Sequence, residues 1–148
     1  MKKAMRNEEI AAALEELAEL LALQAENPFR VRAYQRAALV VRSLGRPLEN
    51  FSGTEELDQL PGIGKDLAGK IAELTRTGRL KLLERLRRQV PPGLRELLQL
   101  PGLGPARVRA LRNALGIGGT GDLQQALASG RLATVRGFGP KLCVQLQS

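Results

Sequence analysis

The sequence predicts an all-α fold in which successive helices are joined by short glycine hairpins. Three observations carry that expectation. Leu and Ala dominate a chain of 148 residues that is 43% hydrophobic, while aromatic residues make up 3% and Trp is absent. Leu, Ala, Arg and Glu favour helices, whereas β-branched and aromatic side chains favour strands. Apolar residues recur at helical spacing, and a Gly–apolar–Gly turn appears three times between such segments.

Asn7, Glu8 and Glu9 read as the start of the first helix, with Asn7 as the cap and the acids near the positive end of the helix dipole. Ile10, Leu14, Leu17 and Leu21 then recur at helical spacing, and the helix is expected to end near Glu26. Asn27-Pro28 restarts the chain with a cap and a first-turn proline. The second helix places Tyr34, Ala37, Ala38 and Val41 on one side and Arg30, Arg32, Arg36 and Arg42 elsewhere, and Gly45 can end it. Residues Thr54 to Leu60 read as a short third helix.

An internal repeat follows. Leu60-Pro61-Gly62-Ile63-Gly64 leads into Lys65-Asp66-Leu67-Ala68-Gly69-Lys70-Ile71. Leu100-Pro101-Gly102-Leu103-Gly104 leads into Pro105-Ala106-Arg107-Val108-Arg109-Ala110-Leu111, and Val135-Arg136-Gly137-Phe138-Gly139 into Pro140-Lys141-Leu142-Cys143-Val144. Each turn has a helix before it and an amphipathic helix after it. Pro91-Pro92-Gly93 marks the boundary between a four-to-five-helix bundle (1–90) with one hairpin and a second unit (91–148) with two. The last helix has barely two turns before Ser148, which suggests a fragment or the front part of a longer protein.

Charge narrows the partners. Residues 1–26 hold three basic and six acidic side chains, a net −3, and the remainder holds twenty basic and nine acidic, a net +11. A positive body of that size attracts polyanions, nucleic acid first and anionic membrane second. Seventeen of the 23 cations are Arg, which suits bidentate phosphate contacts. A lone cysteine, Cys143, and the absence of His exclude a disulfide framework, thiol or His metal sites, and His-based nucleophile pairs. There is no secretory hydrophobic core and no membrane-length apolar run, so the expected compartment is a reducing cytoplasm.

The repeated turn has a physical reason to bind phosphate. Two glycines allow a tight bend and leave no Cβ between the backbone and a ligand. The central Ile63, Leu103 or Phe138 plugs into the core, and the second glycine opens the next helix, where unpaired N–H groups and the dipole favour an anion. The DNA-binding candidates are therefore Gly62, Gly64 and Lys65 at the first turn, Gly102, Gly104, Arg107 and Arg109 at the second, and Gly137, Gly139 and Lys141 at the third. Such contacts position DNA without reporting base identity. With few aromatics, base stacking is not the main mode expected.

These turns are helix-hairpin-helix motifs, and their arrangement resembles one family. Asn27 to Tyr34, Leu60 to Ile71 and Thr77-Gly78-Arg79-Leu80 resemble the amino-terminal lyase domain of family X DNA polymerases of the DNA polymerase beta kind. Residues 93–148 are similar to the DNA-binding segment that follows it in bacterial members. The resemblance implies that Lys70, in the Gly-x-Gly-x-x-x-Ala-x-Lys-Ile pattern of Gly62 to Ile71 (here with Gly69 before the lysine), forms a Schiff base with an abasic 5′-deoxyribose phosphate. It makes Tyr34 a supporting site residue and puts Arg30, a further DNA-binding candidate, where that domain has a lysine. Asp66 departs from the family pattern, which has a basic residue there.

On a helical wheel Leu67, Ala68, Ile71 and Leu74 form an apolar stripe with Lys70 at its edge. Partial desolvation beside other cations is expected to lower the pKa of Lys70 toward a neutral, nucleophilic amine. A polymerase palm needs clustered aspartates for two metals. Only Asp58, Asp66 and Asp122 exist, so this chain holds no polymerase site. The expectation is a monomeric, sequence-independent DNA-binding module for gapped or nicked duplex in DNA repair, nucleoid-associated in a bacterial cytoplasm. It has no cofactor beyond a monovalent cation held by hairpin carbonyls. A lyase using Lys70 is the second reading. A helical protein-interaction scaffold, its acidic first helix meeting a basic partner, is the third.

Overall fold

The computed structural model describes residues 5–51 and 53–147. Among them are nine helices: α1 (Asn7–Leu23), α2 (Pro28–Arg42), α3 (Thr54–Leu57), α4 (Lys65–Thr77), α5 (Lys81–Gln89), α6 (Pro92–Leu97), α7 (Pro105–Leu115), α8 (Thr120–Ala128) and α9 (Pro140–Gln147). Two 3₁₀ turns, Leu48–Asn50 and Arg131–Thr134, complete the described chain, which has no strand.

The first two helices pack lengthwise on each other. Ile10, Leu14, Leu17 and Leu21 of α1 and Tyr34, Ala37, Ala38 and Val41 of α2 are all buried, as the periodicity predicts. The small Ala37 and Ala38 let the helices approach closely. Asn27 caps α2 by accepting from the Phe29 amide at 2.9 Å. Asn7, in contrast, is the first helical residue and not the cap, which is Arg6. Its amide side chain instead donates to the Arg46 carbonyl and accepts from the Leu48 amide, both at 2.9 Å. A polar side chain that could satisfy its own helix end thus ties down a loop some forty residues away.

Helix α1 ends at Leu23, earlier than Glu26, because Ala25 turns left-handed at φ +58° and Glu26 donates back to the Leu21 carbonyl. Helix α2 likewise stops at Arg42, ahead of Gly45, and α3 covers only Thr54–Leu57 of the expected Thr54–Leu60.

At the expected division between 1–90 and 91–148 the chain passes from α5 through Val90 and Pro91 into α6. Helix α1 packs against α4 and α5 on one side of that point and against α6 and α7 on the other. One continuous apolar core runs through both stretches. Within α6, Gly93 approaches the loop after α7 so closely that a Cβ would stand 1.9 Å from the Gly118 carbonyl oxygen.

Candidate nucleic-acid interface

The three hairpins share one geometry. The first glycine is left-handed in each, with φ +75° at Gly62, +87° at Gly102 and +94° at Gly137. The residue after it points inward: Ile63, Leu103 and Phe138 are 3%, 4% and 3% exposed. Their amides each donate to the carbonyl three residues back, from Leu60, Leu100 and Val135, at 3.1 Å. Burying such a side chain is worth about 2 kcal/mol, enough to pin the bend.

The second glycine has a different duty. Gly64 and Gly104 have ordinary extended backbone, with φ −88° and −93°, and a Cβ added there would meet nothing within 4 Å. Both open a helix whose first amides no side chain caps. Their carbonyls accept from Ala68 and Val108, and that of Gly139 from Cys143. All six hairpin glycines are exposed, as are Lys65, Arg107 and Lys141. Each bend thus presents backbone N–H groups at the positive end of a helix with a cation nearby, an arrangement that attracts an oxyanion.

Two predicted cations have internal partners. Arg109 donates through Nη1 to the Ala22 carbonyl at the C-terminal end of α1 and is half-buried, so it ties the fold together and is withdrawn from the phosphate set. Arg107 folds back, donating to the Gly102 carbonyl at 2.9 Å. The bend carbonyls are suitable oxygen ligands for a monovalent cation, but at the second hairpin this guanidinium already occupies one of them. Among the described residues, no cluster of His, Cys, Asp and Glu side chains suits a metal ion.

A second constellation lies beside the first hairpin. The hydroxyl of Tyr34 is buried and makes no hydrogen bond, while Arg30 of α2 and Lys70 of α4 both feel its oxygen. The Lys70 side chain is 17% exposed, and its Nζ donates to Asp66 Oδ1 at 2.7 Å. Burial pushes the Lys70 pKa down, but the Asp66 carboxylate and the Tyr34 oxygen outweigh it, so the amine sits above the ordinary lysine range. The expected lowering is therefore reversed, because a carboxylate one helical turn away stands where the family pattern has a base. Arg30 is also raised, burial being offset by the Tyr34 oxygen and the Glu26 carboxylate at 3.4 Å.

Sequence reasoning missed one exposed aromatic. Phe29, at the start of α2, is 75% exposed, and the Arg32 guanidinium lies over its ring at 4.8 Å from the centroid. The signal was present in Phe29-x-x-Arg32, the i, i+3 spacing that brings two side chains together on a helix. The acidic first helix, in turn, finds its basic partners within the chain: Glu8 and Glu15 pair with Arg42, Glu16 with Arg87 and Glu19 with Arg95.

A tandem of hairpins with open helix starts, set on a basic helical body, defines a helix-hairpin-helix protein. Residues 5–80 match the helix-hairpin-helix domain family, and residues 94–148 match the SAM-like helix-hairpin-helix tandem. The chain belongs to the helix-hairpin-helix family. It is also similar to the N-terminal part of a family X polymerase, the DNA polymerase/3′-5′ exonuclease PolX of Bacillus subtilis (strain 168), with 34% identity over 137 residues. That match covers 93% of this chain and spans 24% of the length of the relative. No helix among the described residues is long and apolar enough to cross a membrane.

Proposed function

We propose that the chain binds the sugar-phosphate backbone of DNA without reading its sequence and serves DNA repair at gapped or nicked duplex, as the non-catalytic front part of a family X polymerase. The observation that carries the reading is the threefold repetition of one bend, each with an exposed second glycine ahead of a helix. The contacts proposed are the free N–H groups of the first helical turn: Lys65 and Asp66 after Gly64, Ala106 and Arg107 after Gly104-Pro105, and Lys141 and Leu142 after Gly139-Pro140, the prolines having no N–H to give. Lys65, Arg107 and Lys141 add charge, and Arg30 marks the side where Tyr34 and Lys70 lie. Gly62, Gly102 and Gly137 shape the bends. Backbone contacts of this kind imply affinity on the order of 10⁻⁴–10⁻⁶ M at physiological salt, falling as salt rises.

The test follows from the differing duties of the glycines. Replacing Gly64 and Gly104 together by Val fills the space in front of the amides without straining the backbone, and DNA binding should be lost at unchanged helicity. Unaltered affinity in that double variant overturns the reading. Titration against gapped, nicked and intact duplex then measures preference among DNA forms.

The orphaned Tyr34 hydroxyl beside Lys70 favours a second reading, a 5′-deoxyribose-phosphate lyase. The neutral Lys70 amine would attack the C1′ aldehyde and expel water to give an iminium. Loss of the C2′ proton to a base would then break the C3′–O bond and leave a 5′-phosphate on the DNA. Borohydride trapping on an incised abasic substrate tests it. Absence of an adduct, or equal trapping by Lys70→Ala, removes Lys70 from that role.

A further inference from the structure

Three arginines from three successive helices bind one row of α1. Arg87 of α5 holds Glu16 through two bonds of 2.6 Å. Arg95 of α6 reaches Glu19 at 3.2 and 3.5 Å, and Arg109 of α7 donates to the Ala22 carbonyl. The acceptors lie three residues apart, so they form one i, i+3 row about 9 Å long. Their order along α1 repeats the order of their partners along the chain. Glu16 is the best shielded, with a side chain 14% exposed.

The row spans the junction between the helices of the first hairpin and those of the second and third. The junction itself is short, since only Val90 and Pro91 separate α5 from α6. Beneath the ion pairs lies a groove of about 570 Å³ floored by Leu20, Val90 and Pro92. Leu20 and Val90 at the groove are buried in the core that runs through both stretches, and the charged row adds directional contacts across the junction to that packing.

We infer that Glu16 and Glu19 are positioning residues for DNA binding: they hold the first hairpin in a fixed frame relative to the other two, so that one duplex meets all of them at once. The inference rests on the hairpin-phosphate reading and adds to it. Groups held in the binding geometry beforehand do not lose orientational freedom on binding, and linked sites gain affinity through effective concentration. A ligand too short to reach beyond one hairpin receives none of that gain.

The experiment compares a short duplex, reaching one hairpin, with a long one reaching all three. The double variant E16Q/E19Q removes both charges with little change of shape. It should weaken long-duplex binding by about tenfold and leave short-duplex binding unchanged. Paired labels at Gln35→Cys and Arg131→Cys, in a Cys143→Ser background, should show a broadened distance distribution. The swap E16R/R87E, which restores the pair with its signs reversed, should recover both properties, while E16R alone should not. Unchanged long-duplex affinity, equal weakening of both duplexes, or tighter binding of both (arginines released to DNA) overturns the inference. The Gly64→Val/Gly104→Val variant separates the two claims, because it weakens binding to both lengths if the hairpins bind phosphate and to neither if they do not.

Discussion

Asp66 Oδ1 stands 2.7 Å from Lys70 Nζ, one turn along α4, and the same amine feels the buried hydroxyl oxygen of Tyr34. The contact keeps the amine protonated. Asp66→Asn removes the charge that, with the Tyr34 oxygen, outweighs burial, and should lower the Lys70 pKa. Each unit of lowering raises the neutral fraction about tenfold near neutral pH. If the lyase reading holds, borohydride trapping should accelerate in this variant, and the rise of its rate with pH should move to lower pH.

The same pair sets an alkaline stability limit. A lysine whose folded pKa exceeds its unfolded value, about 10.4, contributes stability that is complete below that value. It is lost as pH rises through the folded pKa. Urea midpoints should therefore fall more steeply for the native protein than for Asp66→Asn between about pH 10 and 12.

At the acid end Glu16 behaves in the opposite sense. Its bonds to Arg87 hold its carboxyl below the usual range, against an opposing contribution from burial. Its stabilisation is present above the unfolded value, about 4.3, and disappears as pH falls through the lower folded one. Glu16→Gln should cost about 1 kcal/mol at pH 7 and nothing measurable at the lowest pH at which the protein remains folded.

The two glycines of one hairpin should separate stability from binding. Gly62→Val forces a β-branched residue to φ +75° and should cost roughly 2 kcal/mol or more. Gly64→Val, in extended backbone with open space around it, should cost under about 1 kcal/mol and still reduce DNA binding. Thermal melts with titrations on both variants measure the difference.

Lys65→Ala should weaken DNA binding alike on all sequences and reduce the slope of log K against log salt by about 1. Arg109→Ala should leave that slope unchanged and lower stability, since its guanidinium is given to Ala22.

Gly93→Ala places a methyl group 1.9 Å from the Gly118 carbonyl oxygen, so either α6 or the loop after α7 must move. Backbone cannot yield as a side-chain tip does, and a loss of about 3 kcal/mol in denaturant titration is expected.

Local patterns in the sequence determined the helices, the three bends and their buried plugs. A 3.6-residue period, a proline at a helix start and a glycine pair are each read within one turn of chain. Tertiary structure alone decided which polar and charged side chains remain available. Asn7 binds Arg46 and Leu48, Arg109 binds Ala22, and the acidic row of α1 meets Arg87 and Arg95, contacts that join positions some forty to ninety residues apart. It also reversed the expected shift at Lys70, because the balance between desolvation and a neighbouring carboxylate depends on distance and burial. A periodicity fixes which side of a helix faces inward, but the partner of a charge is set by how whole helices cross.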